Sequence, residues 1–190
     1  MITMGPGEYT NHQSAVYKNP DDPNPPDIAD NFNIDATAAK FEQLGVPKEK
    51  IIIGTPYYSR GWMGVDDKTG TNGMFAKAVP GPSKGPCGIW DDASQGECGG
   101  QNPFYYIKSN METNSSFVKY RDPASKAPWL YSRSKKEMYT YEDEESLAFK
   151  ADYINSKGYG GAIIWELSGD APSKGSTLTT ILYNKLLAGK

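Results

Sequence analysis

Two short stretches hold most of the side chains that could do chemistry. Tyr57-Tyr58-Ser59-Arg60-Gly61-Trp62 and Trp165-Glu166-Leu167-Ser168-Gly169-Asp170 each set aromatic rings beside charged groups. Aromatic faces stack on the apolar faces of pyranose rings, while guanidinium and phenol groups satisfy sugar oxygens. The mixture suits a carbohydrate site. The alternative is a layer of Tyr and Trp that closes the end of a barrel, with Arg60 in a structural ion pair. Glu166 ends an apolar run next to Trp165, where a catalytic acid could stand. Side chains alternate along a strand, however, so Trp165 and Glu166 are expected to point to opposite sides.

Other chemistries find less support. His12 is the only histidine, and Cys87 and Cys98 are the only cysteines. They have no zinc-type spacing, so neither a metal nor a cofactor is expected. The two cysteines lie in a Gly-rich loop; they could bridge or remain free thiols, since spacing does not give geometry. The 20 basic and 23 acidic residues are well mixed, for a net charge of −3. No basic patch interleaves with aromatics, which argues against nucleic acid. No apolar run reaches the roughly 18 residues of a membrane span. The opening Met1-Ile2-Thr3-Met4-Gly5 has neither a basic nor an apolar segment and fixes no cellular address.

Elements that could position the two stretches are readable on either side of them. Pro20-Asp21-Asp22-Pro23-Asn24-Pro25-Pro26 excludes regular helix or central strand, so the first thirty residues are expected to be loop. Ile34, Ala38, Phe41 and Leu44 recur at helical spacing, with Asn33 or Asp35 to cap the start and Gly45 then Pro47 to stop it. Lys50–Thr55 is a continuous β-branched run, typical of a strand buried on both faces in a parallel sheet. Helix, short loop and buried strand together give an α/β rhythm.

The rhythm breaks after Trp62 and resumes near Asp143. In between, Trp129–Ser132 and Glu137–Tyr141 flank the polar turn Arg133-Ser134-Lys135-Lys136, a hairpin pattern. Three segments follow: residues 1–62, an inserted α+β subdomain over 63–142, and 143–190. In the last, Asp143-Glu144-Glu145-Ser146 opens a helix whose stripe is Leu147, Ala151 and Ile154, and Gly158 ends it. Gly160–Trp165 is a second buried strand, expected to run parallel to the first. Ser176 can cap a final helix with Leu178, Ile181, Leu182 and Leu186 facing inward.

Four stretches carry a family resemblance. Ile51–Trp62 resembles the seventh-strand signature of the chitinases of glycoside hydrolase family 18, and Gly158–Asp170 resembles the eighth strand. Ala127–Tyr131 with Tyr139–Ser146 is similar to the end of that family's inserted subdomain, and Thr10–Tyr17 to the loop after its sixth strand. The resemblance implies the carboxyl-terminal portion of a (β/α)₈ barrel. It implies that Trp165 floors the bound sugar, that Tyr58 and Arg60 line the same wall, and that Trp62 and Glu166 make weaker contacts. Its substrate would be chitin or chito-oligosaccharide, and its location extracellular. The family's catalytic stretch, of the form D-x-x-D-x-D-x-E, occurs nowhere in the 190 residues. No catalytic residue is therefore assigned to this chain. A detached sugar-binding module without turnover is the rival reading, and an incomplete barrel implies self-association or a companion chain.

Overall fold

The computed structural model of the chain describes residues 8–68, 70–79, 85–170 and 178–188. The proline-rich opening is not wholly loop: Pro26 heads one helical turn, α1 (Pro26–Ala29). Proline is suited to a first helical position because its missing N–H would be unpaired there anyway. The helix α2 (Ile34–Gln43) begins at Asn33, whose side-chain oxygen accepts the Ala36 amide at 2.8 Å. Gly45 adopts the left-handed conformation that ends it, and the Val46 amide reaches back to the Phe41 carbonyl at 3.0 Å. That pairing satisfies a carbonyl the helix would otherwise leave open.

Strand β1 (Ile52–Pro56) follows, and it pairs in parallel with β6 (Gly161–Trp165), Ile52 opposite Gly161 and Pro56 opposite Trp165. Among the described residues this parallel sheet has two strands. One face of the pair packs on the helices: Ile51 and Ile53 are buried in the main core, with Ala162 and Ile164 against it. The other face is open, with Ile52 47 % and Ile163 55 % exposed. The expectation of strands buried on both faces is thus corrected. Alternation puts Ile52, Ile163 and Trp165 on one face, which is exposed at those three positions, while Gly54 and Pro56 on the same face are buried. Helix α2 shows the same one-sidedness, since Ala38 is buried while Phe41 and Leu44 lie exposed.

Between the two parallel strands lies an antiparallel sheet in the order β2-β5-β4-β3. Its members are β2 (Arg60–Met63), β3 (Val118–Arg121), β4 (Pro128–Ser132) and β5 (Glu137–Thr140). β4 and β5 form a hairpin across residues 133–136. Strand β2 spans both sides of the 62/63 position, so this sheet recruits Arg60–Trp62 as well. A second apolar cluster of Trp62, Val65, Met74, Trp129, Tyr131 and Met138 backs it. The short α3 (Phe104–Tyr106) runs on as one π turn, Ile107–Met111, and delivers Phe104 and Ile107 to the main core.

Helix α4 (Glu144–Lys157) starts with a capping box. Asp143 accepts the Ser146 amide and the Ser146 hydroxyl accepts the Asp143 amide, both at 2.9 Å. Leu147, Ala151 and Ile154 are buried, and Gly158 turns left-handed at its end. Helix α5 (Leu178–Leu186) buries Leu178, Leu182 and Leu186 beside α4. Ser176 lies outside the described residues; the Asp170 carboxylate accepts the Leu178 and Thr179 amides at 3.0 Å each. No helix among the described residues is long and apolar enough to cross a membrane.

Asp143 makes the fold acid-sensitive. Burial alone would raise its pKa, but Arg121, Lys119 and the Ser146 amide overcome it and hold the carboxyl at about 2, against an ordinary 3.8. A depressed folded-state pKa contributes stability above the unfolded value and loses it as pH falls through the folded one. We therefore expect about 2 kcal/mol of stability to disappear between about pH 4 and pH 2. Urea midpoints across that range check this, and Asp143→Asn should flatten the acid limb.

Candidate functional site

The parallel pair closes where the aromatic stretches begin. The Tyr57 amide donates to the Trp165 carbonyl at 2.8 Å, one step beyond the last strand pair. Tyr57 itself is core: wholly buried, with burial pushing its phenol pKa up and the Thr179 hydroxyl 3.4 Å away. The next residue, Tyr58, is buried to 6 % exposure, and the Arg60 guanidinium lies over its ring at 5.3 Å. Such stacking fixes a guanidinium while leaving its edge free to donate.

Two buried polar atoms beside this turn, Gln13 Oε1 and Arg60 Nε, have no hydrogen-bond partner among the described residues. Buried polar atoms are rarely left unpaired, and those that are call for an explanation such as a water or a ligand. Gln13 is anchored at its other end, where Nε2 donates to the Tyr58 carbonyl at 2.6 Å.

Trp165 stands on the neighbouring strand end with 60 % of its surface exposed. The peptide bond that follows it is cis. Glu166 is exposed, and its carboxylate accepts the Ser168 hydroxyl. Trp62 lies elsewhere. It is 0 % exposed in the second apolar cluster, against Met74, Trp129 and Met138, so its ring has no face left for a ligand. Its expected sugar contact is corrected on that ground. The structure therefore brings Tyr58 and Arg60 into contact, puts Trp165 and Glu166 at the adjoining strand end, and removes Trp62.

A strap of residues 85–103 lies along this turn. Ser59 and Gly61 donate to the Asn102 and Gly99 carbonyls, and Phe104 to that of Tyr57, each at 2.9 Å. The strap needs glycine to come so close: a Cβ at Gly100 would lie 2.5 Å from the Gly61 Cα. Cys87 and Cys98 are bonded to each other within it. The strap also carries Trp90 across to the turn Leu167–Gly169 that follows β6, where a Cβ at Gly169 would lie 2.9 Å from its Cη2 atom.

The sequence profile of glycosyl hydrolases family 18 matches residues 2–170. The chain belongs to that family. Chitinase A1 of Niallia circulans is 37 % identical over 142 residues, which is 75 % of this chain and 19 % of that protein. A probable endochitinase of Caenorhabditis elegans is 34 % identical over 139 residues, 73 % of this chain and 20 % of its own length. Among solved structures, chitinase ChiA74 from Bacillus thuringiensis superposes with a TM-score of 0.88 at 34 % identity. That match covers 98 % of this chain and 30 % of the other. The chain thus spans about a fifth of the length of the curated relatives named here.

For this family 18 chain, reasoning from sequence missed Gln13 and Trp90. Gln13 fell inside the resembling stretch Thr10–Tyr17, but nothing in its spacing marks it as buried. Trp90 sits in a Gly-rich run without periodicity, where pattern reading has no grip.

Gly169 gives a test of the Trp90 placement. A Cβ there would meet the Tyr57 carbonyl oxygen at 2.5 Å as well as the indole. Gly169→Ala should cost about 1–3 kcal/mol, as overpacking does. It should also free Trp90 toward water, read as a red shift of tryptophan emission alongside the urea midpoint.

Proposed function

We propose that the chain is the carboxyl-terminal portion of a chitinase-like (β/α)₈ glycoside hydrolase. It contributes binding residues for β-1,4-linked N-acetylglucosamine polymers and leaves the catalytic acid to residues outside its sequence. One observation carries the reading: a tryptophan, Trp165, is exposed at the carboxyl end of a parallel strand beside the stacked Tyr58–Arg60 pair. Barrel enzymes bind ligands at that end of the strands. Trp165 offers a platform for the apolar face of a pyranose, Arg60 and Tyr58 line the wall beside it, and Glu166 borders it.

The open face of the parallel pair supports a partial barrel. An apolar groove of about 220 Å³ runs beside β1, lined by Ile34, Phe41, Ile52 and Gly54 among others. Another of about 310 Å³ runs beside β6, lined by Ile164, Leu182 and Leu186 among others. Both grooves lie toward the flanking helices, and further strands of a barrel would pair with the outer edges of β1 and β6 beside them. Without them, unpaired apolar edges recruit other chains, so self-association or a companion chain follows. An extracellular location agrees with the Cys87–Cys98 bond, since disulfides persist in oxidising compartments.

The family chemistry is substrate-assisted: an acid protonates the leaving oxygen while the sugar's acetamido group attacks the anomeric carbon. No residue here is assigned that acid. Loss of a positioned general acid costs about 10²–10⁴ in rate, and a cleft lacking its opposite wall does not exclude water.

Two measurements test the proposal. In titrations with chito-oligosaccharides, Trp165→Ala should weaken binding by about 1–3 kcal/mol, by analogy with base stacking, and Trp129→Ala far less. Trp129 is packed in the second cluster, its indole N–H donating to the Asn72 carbonyl at 2.9 Å. Equal effects would remove the assignment. In the second, the purified chain should show no measurable hydrolysis of a chitobiose aryl glycoside. Activity abolished by Glu166→Gln would instead make Glu166 the acid. Binding without turnover, even after the missing barrel segments are supplied, would favour a lectin-like module.

A further inference from the structure

Trp90 lies beside Gly169, in the turn Leu167–Gly169 that follows β6. It belongs to a loop that closes on itself, since Cys87 and Cys98 are bonded across eleven positions. The loop has no helix or strand to hold it apart from a single turn, Ala93–Gln95. Its attachment is instead a set of hydrogen bonds to the strap segment beneath. The Trp90 amide donates to the Gln101 carbonyl at 2.9 Å, and the Ile89 amide to Asn102 Oδ1 at 3.1 Å. Asp91 gathers three donors: Gly88 N at 2.7 Å, Gln101 N at 3.0 Å and Gln101 Nε2 at 2.8 Å. The Gly85 amide donates to the Cys98 carbonyl at 2.8 Å, which ties the two ends of the loop together beside the disulfide.

We infer that the Cys87–Cys98 bond and the Asp91 carboxylate are positioning groups for Trp90, holding its indole against Gly169 so that it forms a wall of the site begun by Trp165. This rests on the reading of that strand end as a sugar site. The physical argument is one of entropy. A ten-residue loop between the cysteines, left open, would sample many conformations in which Trp90 faces water. Closing it removes most of these before any ligand arrives. Aromatic platforms act well only when pre-ordered, because ordering a side chain on binding subtracts from affinity. Asp91 completes the device by fixing the turn that carries the indole: its two oxygens bridge the start of the loop at Gly88 and the strap at Gln101.

The strap itself does not depend on this bond. Ser59, Gly61 and Phe104 tie residues 99–103 to the turn after β1 by their own hydrogen bonds. The two levels are therefore separable by experiment. The pair Cys87→Ser with Cys98→Ser, and separately Asp91→Ala, would be compared with the unaltered chain by amide hydrogen exchange and by chitohexaose titration. We expect Trp90 amide exchange to accelerate at least about tenfold in both variants, with Ser59 and Gly61 amides protected to within about twofold. The tryptophan indole N–H resonance of Trp90 should broaden or move, and chitohexaose affinity should fall by about tenfold. Unchanged Trp90 exchange overturns the inference whether or not sugar binds. Faster Trp90 exchange with unchanged affinity overturns it too, by showing that Trp90 is no wall of the site. An unaltered chain that binds no chitohexaose at all would count against the sugar reading, and the exchange data would still decide whether the disulfide and Asp91 place Trp90.

Discussion

A single buried ion pair joins the parts of this chain that sequence order keeps apart. Lys150, on α4, is 1 % exposed and pairs with Glu142, just after β5, at 3 %. Its ammonium also donates to the Ser14 hydroxyl at 2.9 Å and the Ser14 carbonyl at 3.2 Å. The second oxygen of Glu142 accepts the Ser146 hydroxyl at 2.7 Å. Burying either ion alone would cost several kcal/mol, so the pair persists only because its donors and acceptors are met together. Through it the opening loop, the antiparallel sheet and α4 share one origin. Gln13, next to Ser14, is thereby set against the Tyr58 carbonyl. The turn that carries Tyr58 and Arg60 is thus braced from the far side of the core.

A second buried polar contact braces the same loop farther out. His12 is 3 % exposed and meets Asp122 at 2.9 Å, while the Asn19 amide group donates to the same oxygen at 2.6 Å. The contacts hold the Asp122 carboxyl well below its usual range, against the opposing pull of burial. His12 also packs edge-on to Trp129 and Phe75. The loop of residues 10–19 is therefore fastened by two polar clusters rather than by regular structure, as a segment without a helix or strand ladder of its own requires.

Much of this was legible in the sequence where the signal is local. Asn33 and Gly45 mark the limits of α2, and Asp143 with Ser146 marks the start of α4, because caps are satisfied within a few residues. The polar turn at residues 133–136 announces the β4–β5 hairpin, and the β-branched run before Gly54 announces β1. What could not be read is long-range. Trp62 looks like its neighbours Tyr58 and Arg60 until Val65 and Met74 fold over it. Ile52 and Ile163 look like buried strand residues, yet coverage of that face depends on elements that the pattern of these strands does not specify. The placement of Trp90 depends on a disulfide and on a glycine more than sixty positions away, neither of which leaves a periodicity.

The antiparallel sheet departs from the parallel pair at Arg60 and returns toward it at Thr140, and these two residues are partners in the same ladder. The path between β1 and α4 is therefore pinched shut at its base. To the parallel strands, whose Thr55 and Ile163 meet across 108 positions, the intervening chain counts as little more than a short connection. Loop-closure entropy grows only with the logarithm of length, about 0.6 kcal/mol per doubling, and a pinched loop escapes most of even that. The excursion can lengthen, shorten or acquire new straps such as the one bearing Trp90 while the strand pair keeps its register. A change of length there is in this way kept within the antiparallel excursion and away from the parallel frame that supports it.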